Sequence, residues 1–321
     1  MAIGITLAEA AVISQDQMYR GIVETFLKVS PMLQRYTFME IEGNSLYIPQ
    51  EDPAKLGNVG FVGVGGEIVS SEAKWTHDTF NLKQLFGQAD VPGIIQKSQS
   101  NIVDQMAAQV KVKAKLMAYA FETQAVYGVE VDANGFVGWH SLVVAGQRLH
   151  ASLTNDTVGG PLTIHLMHQL VDLIMGGPPD LIVMNRKIRT RFSEFLADKA
   201  SYRTERDDYG NYFGVWNETP IVVTDHIVQT ELLAGDGTQG AYSAMTGGTG
   251  TSATSSVFAI RFGEGDGLTG IQNGGITTEV FDRLEDYSAV RTRLEWFVGQ
   301  ALYSPLAIAR IDGVLDAAMA A

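Results

Sequence analysis

Residues 98–128 read SQSNIVDQMAAQVKVKAKLMAYAFETQAVYG. Ile102, Met106, Val110, Met117 and Phe121 fall along one side at helical spacing. Ser98 or Ser100 supplies an N-cap hydroxyl, and Gly128 supplies a left-handed stop. The spacing predicts one amphipathic helix over 98–128. Its roughly 30 residues, at a rise of about 1.5 Å each, would extend on the order of 45 Å, well beyond the usual helix of about a dozen residues. A helix of that length acts as a spine on which the rest of the chain is hung.

Toward the N-terminus, Asn44 to Pro92 changes character. Pro49 and Pro53 precede Gly57, Gly60, Gly63, Gly65 and Gly66, and residues 75–85 read WTHDTFNLKQL. Residues 44–92 are read as two strands joined by a long glycine-rich tip. Neither strand divides into an apolar and a polar face, as a strand lying on its own core would. The hairpin is therefore expected to project onto a neighbour. Residues 1–43 carry apolar positions at mixed spacing around Gln15, Asp16 and Gln17, and Pro31 interrupts any helix, so they read as an arm with short helical pieces.

On the other side of the spine, a glycine-punctuated segment leads to Pro161, which is expected to open a helix burying Leu166, Leu170, Val171 and Ile174. Gly176-Gly-Pro-Pro179 closes it. Leu181-Ile-Val-Met184 is a short apolar run expected as a buried strand, and Arg186 to Lys199 returns to helical spacing through Ile188, Phe192, Phe195 and Leu196. Ile221–Val223 and Val257–Ile260 add buried strands, separated by the Gly-, Ser- and Thr-rich loop 235–256, expected to be exposed. Two further strands are expected, one through Val290, Thr292, Leu294, Trp296 and Val298 and one through 304–313. No internal repeat is present. The class is α+β.

The chain has 321 residues, 45% of them hydrophobic, enough for a sizeable core. It contains no run of about 18 apolar residues that would span a bilayer, and its first residues lack the pattern of a secretion signal. Cysteine is absent, which excludes disulfides, thiolate nucleophiles and thiolate metal ligands. Lys and Arg number 23 against 36 Asp and Glu, a formal charge of −13. That balance repels polyanions and argues against tight general binding to nucleic acid, while suiting a container that holds a polyanion without adhering to it.

Four constellations invite a chemical reading. Gly265, Gly267 and Gly270 match the dinucleotide-binding pattern, but that loop needs a helix directly behind it to offer unpaired N–H groups. Here Asn273-Gly-Gly and Ile276-Thr-Thr-Glu-Val-Phe follow, so the glycines read as turns. His165 and His168 share a helix face with Asp172, yet no HExxH pattern or Cys completes a metal set. Asn185 and the pair Asp225-His226 follow apolar runs and offer the best enzyme reading, although Asn and Asp also cap helices and start turns. Arg186, Lys187, Arg189 and Arg191 resemble a phosphate patch, but Glu194 and Asp198 share the helix, which favours a solvated or intersubunit face. Lys55 and Lys74 suit intersubunit contacts or crosslinks. No catalytic residue, cofactor or metal site is expected.

This order of parts resembles the major capsid proteins of tailed bacteriophages with the Hong Kong 97-type fold. The family-like stretches are Leu181–Phe192, Thr219–Asp225, Val257–Gly263 and Arg293–Ile311. The resemblance implies an arm at 1–43, an extended loop at 44–92, a peripheral domain at 93–150 carrying the spine, an axial domain at 151–275 and C-terminal strands at 276–321 completing both. It also implies self-assembly into hexamers and pentamers of an icosahedral virion capsid, formed in the host cytoplasm around double-stranded DNA without sequence-specific contacts or a membrane. No cleavable scaffold-like extension is seen, and with Met1 in place a separate scaffolding protein is expected, together with a portal and a decoration protein. An encapsulin-like compartment and a cytosolic α/β enzyme using Asn185, Asp225 and His226 are the rival expectations.

Overall fold

The computed structural model describes residues 30, 32–51, 61–64, 66, 74–92, 105–152, 159–196, 202–206, 212–231, 254–281 and 289–320. The first half comprises β1 (Phe38–Glu40), β2 (Ser45–Glu51), β3 (Trp75–Asn81), β4 (Lys83–Pro92), α1 (Gln105–Tyr127), α2 (Trp139–Leu142) and β5 (Arg148–His150). Then come β6 (Gly160–Thr163), α3 (Ile164–Asp172), β7 (Leu181–Met184), α4 (Arg186–Leu196), β8 (Tyr202–Arg206), β9 (Tyr212–Trp216) and β10 (Thr219–Val223). β11 (Ser255–Ile260), β12 (Leu268–Phe281), β13 (Ala289–Leu302) and β14 (Ile308–Ala320) complete the order.

The unbroken apolar run Leu181–Met184 is explained by its place in β7. Successive strand side chains point to opposite faces. Leu181 and Val183 enter the core that contains α1, while Ile182 and Met184 enter a second core beneath α3 and α4. β7 is thus covered on both faces, and all four side chains are fully buried, each contributing about 1.5–3 kcal/mol relative to exposure. β11 divides the same way, with Phe258 and Ile260 toward the first core and Val257 and Ala259 toward the second. Both lie in an eight-stranded sheet of order β5-β14-β11-β7-β10-β9-β8, with β6 also paired to β14.

A second sheet, β1-β12-β13-β4, carries α1 on one face. In β13, Thr292, Leu294, Trp296 and Val298 are buried in alternation, as the period of two requires. α1 has 23 residues, about 35 Å at its ordinary rise. Val110, Met117 and Phe121 are buried and Met106 packs at the margin of the core. Residues 98–104, where the helix was expected to begin, lie outside the described residues, as do residues 1–29 of the arm and most of the hairpin tip.

Several expectations need correction. Lys83–Pro92, read as part of the hairpin, pairs along its whole length with β13, because its alternating Leu85, Gly87, Ala89 and Val91 face α1 and the core. The hairpin proper is the separate pair β2–β3. Pro161 lies in β6, not at a helix start; α3 begins three residues later, where the Thr163 hydroxyl accepts from Leu166 N at 3.2 Å. Arg148–His150 joins the eight-stranded sheet and Leu268–Phe281 the four-stranded one, so both cross the expected boundaries. The hairpin β8–β9 was not anticipated.

α1 stops where the sequence placed its stop. Gly128 has φ +63°, and a Cβ there would stand 1.9 Å from the backbone nitrogen of Gly138. Gly128→Ala is expected to cost about 3 kcal/mol or more in urea unfolding, since strain and a backbone clash act together.

Candidate functional site

β7 and β10 run parallel and adjacent, so the residues after them, Asn185 and Asp225-His226, arrive at the same sheet end. Their side chains then separate. Asn185 is a cap: its carbonyl accepts from Arg189 N at 3.0 Å and its Oδ1 from Lys187 N at 3.1 Å and from Gln229 Nε2. Its Nδ2 donates to the Ile227 carbonyl. Asp225 is exposed and holds Arg186 through two bonds, at 3.1 and 2.7 Å. The residue types that suggested chemistry here serve to close the loops after two parallel strands.

His226 turns the other way, onto α1. Its Nδ1 lies 2.7 Å from Thr123 Oγ1, and its Nε2 lies 3.3 Å from Glu122 Oε2. Glu122 is buried and also accepts from the hydroxyls of Ser30 and, at 3.1 Å, Thr224. Burial pushes the Glu122 carboxyl above its ordinary range, against the pull of those two hydroxyls, and burial also lowers the His226 imidazole. This cluster joins Ser30, the first described residue of the arm, to the spine helix and the loop after β10.

A second buried polar network ties α1 to the eight-stranded sheet. Tyr127 Oη donates to Glu231 at 2.7 Å, and Arg310 reaches Glu231 at 3.2 Å and Ser256 Oγ at 2.9 Å. Burial and the facing Glu231 carboxylate push the Tyr127 hydroxyl well up. Beside it Asp312 is held by Arg148. Sequence reading missed all of these. The available signal was the segment Ala307-Ile-Ala-Arg-Ile-Asp312, in which two charges stand in an apolar strand at alternate positions. These groups are closed off from solvent, so a substrate could not reach them.

The other candidates separate similarly. His168 rests its ring on Trp216 at 5.0 Å between centroids, and His165 is exposed; among the described residues no group of three or more His, Asp and Glu is placed to hold a metal. After Gly265 and Gly267 the chain enters a strand, β12, which contains Gly270, and Gly270 packs directly under Phe38 of β1. Arg191 pairs with Asp316 at 2.9 Å and Glu194 at 3.3 Å; Asp198 and Lys55 lie outside the described residues, and Lys74 is exposed.

What the surface does offer is apolar. β2 and β3 form a sheet of their own, anchored at the base by Ile48 and Phe80. Their register sets Tyr47 opposite Thr79 and Pro49 opposite His77 on one face, which also carries Trp75. Tyr47 and Trp75 are 63% and 64% exposed, and Phe61, Val62 and Val64 are exposed beyond them. A groove of about 550 Å³ lies between β4 and α1, lined by Leu85, Phe86, Phe121, Val131 and Phe136 among others. An isolated two-stranded ribbon is marginal in water and a projecting aromatic face is a contact surface, so the arrangement fits association better than catalysis.

No protein-family model matches the chain, and no curated protein matches its sequence. Solved structures do match. The holo-SrpI encapsulin complex from Synechococcus elongatus PCC 7942 is similar at 14% identity and a TM-score of 0.67, over 91% of each chain. The capsid of the native GTA particle is similar at 13% identity and 0.58, over 90% of each chain. A structure of Mycobacterium phage Adephagia is similar at 12% identity and 0.57, over 87% of this chain and 88% of that one. The chain has the Hong Kong 97-type α+β fold.

Glu231→Gln leaves Arg310 buried beside a neutral amide and is expected to destabilise the chain by about 3–5 kcal/mol in denaturant titrations. Asp225→Ala removes a solvent-exposed pair and is expected to change the unfolding midpoint little in the same titrations.

Proposed function

We propose that this chain is the major capsid protein of a tailed bacteriophage, a subunit that acts by closing into an icosahedral shell around double-stranded DNA. The observation that carries the reading is the separate β2–β3 ribbon with its exposed Tyr47 and Trp75, set on a fold shared with capsid and encapsulin shells. Rings of identical subunits need head-to-tail contacts, so each copy must present two different complementary surfaces. The ribbon is one such surface, and another part of the next subunit is its complement. Many modest contacts per subunit then add up, so that no copy leaves without breaking several contacts at once.

The formal charge of −13 supports contents held without adhesion, as a packaged genome requires. In this reading the arm at 1–43, the β2–β3 loop, a peripheral domain built on α1 and the four-stranded sheet, and an axial domain built on the eight-stranded sheet meet neighbours in hexamers and pentamers. A scaffolding protein, a portal and a decoration protein are the further partners. The function is structural and the place is the virion. The TM-score of 0.67 against an encapsulin favours a second reading, a shell that encloses protein cargo. The contents discriminate the two: nuclease-protected DNA in purified particles supports the capsid, and a co-purifying enzyme without DNA supports the compartment.

Electron microscopy and sedimentation of the purified chain are expected to show closed particles or rings of five and six. Deleting residues 50–70 is expected to leave a soluble subunit that forms none of them. Normal particles from the deletion would refute the role given to the ribbon, and a uniform monomer with measurable turnover, lost in Asp225→Ala, would favour the enzyme.

A further inference from the structure

Thr123 has one hydroxyl proton. Its oxygen lies 3.0 Å from the Tyr119 carbonyl one turn back, the bond that threonines inside helices commonly donate. The same oxygen therefore meets His226 Nδ1, 2.7 Å away, as an acceptor, and Nδ1 carries the imidazole proton. Nε2 of the neutral ring is left with a lone pair, and it faces Glu122 Oε2 at 3.3 Å. Among the described residues no other group bonds to Nε2. The carboxylate oxygen it faces accepts from Thr224 Oγ1, which in turn accepts from His226 N at 3.2 Å, and the other oxygen accepts from Ser30. A carboxylate and a lone pair cannot bond without a proton between them, and this pair stands in a buried position where repulsion is poorly screened.

We propose that Glu122 and His226 hold one shared proton at neutral pH, and that this proton latches the end of the arm and the loop after β10 onto the spine helix. The contact is built from three parts of the chain: Ser30, the α1 residues Glu122 and Thr123, and the loop residues Thr224 and His226. Charged and titratable groups around it are few. Asp225 follows Thr224 and is paired with Arg186 from α4, while Tyr119 of α1 sets its ring at a tilt 5.2 Å from His226 and carries the Lys115 ammonium over its ring. The Asp225 charge raises both Glu122 and His226 and so favours retention of the proton.

Burial raises Glu122 and lowers His226, and both shifts favour the protonated acid beside the neutral imidazole. The raised carboxyl contributes stability that is lost as pH rises through its folded value. The lowered imidazole contributes stability that is lost as pH falls below its ordinary value. Between the two ordinary values, 4.5 and 6.5, the effects cancel and the folded and unfolded chains each hold one proton. Above that window only the folded chain keeps its proton, so alkali opens the latch.

The test is the thermal midpoint of the full-length chain at pH about 6 and about 9, at one protein concentration, for the wild type, Glu122→Gln and Thr123→Val. Glu122→Gln supplies a permanent N–H toward Nε2. Thr123→Val frees Nδ1 of its acceptor, so the ring can turn its own proton toward the carboxylate. Each variant is expected to abolish the part of the alkaline fall due to this pair, about 2–4 °C of the wild-type change. A wild type that does not fall, or variants that fall as steeply as the wild type, overturns the shared proton in favour of Thr123 donating to Nδ1. Should Glu122→Gln fail to fold, the Thr123→Val slope alone decides between the same two outcomes.

Discussion

The arrangement of this chain depends on how the last turns of α1 are gripped. Phe121 meets Tyr36 edge-on at 5.7 Å and lies within 5.0–5.9 Å of Trp296, Phe136 and Phe38, so one side chain touches the arm, the four-stranded sheet and the loop beyond the helix. One residue on, Glu122 reaches Ser30 and the loop after β10, and at the final residue Tyr127 reaches Glu231. Helix geometry makes this possible, because neighbouring residues point about 100° apart and a single turn can address several directions. The apolar contacts supply most of the stability, and the polar ones specify which lobe sits where, since a misplaced buried charge would stay unsatisfied.

That division explains what could be read from sequence. The spine helix, β7, α4, β10, β11 and the two C-terminal strands were visible because apolar periodicity follows directly from which face is buried. The Leu181–Met184 run announced a strand covered on both faces. Its neighbours were harder. Lys83–Gln88 alternates apolar and polar residues only weakly, so the transition from projecting ribbon to core strand at Leu82 had no marker of composition. Pro161 carries a helix-start signal, but a proline also fits an outlying strand such as β6, which pairs with β14 alone, and the helix took its cap from Thr163. β8 and β9 were missed because Tyr202–Trp216 is rich in charge and aromatics without a clear period.

The polar candidates were legible as residues but not as partners. Asn185, Asp225 and His226 do come from adjacent strand ends, as the topology of an open sheet suggested. Which way each side chain turns depends on groups far along the chain, Ile227 for Asn185, Arg186 for Asp225 and Thr123 for His226, and no local pattern encodes that. Glu122 lay on the buried side of a helix whose apolar spacing was otherwise regular. A carboxylate at such a position is costly unless it is bonded or protonated. Its presence, with Gln124 two residues on, was a local sign that α1 meets something polar inside the fold.

The ribbon poses the opposite problem. Inside the subunit, polar groups are hidden and matched; on β2 and β3, aromatic groups are left in water. Ile48 and Phe80 fix the base, but most of the Tyr47 and Trp75 surface stays exposed. Such a surface persists in a soluble protein when association supplies the missing burial. Like-charged acidic chains repel one another only within the Debye length of about 8 Å at physiological salt, which still discourages loose encounters at close approach. Contact then depends on short-range apolar fit, which is strong only where two surfaces match.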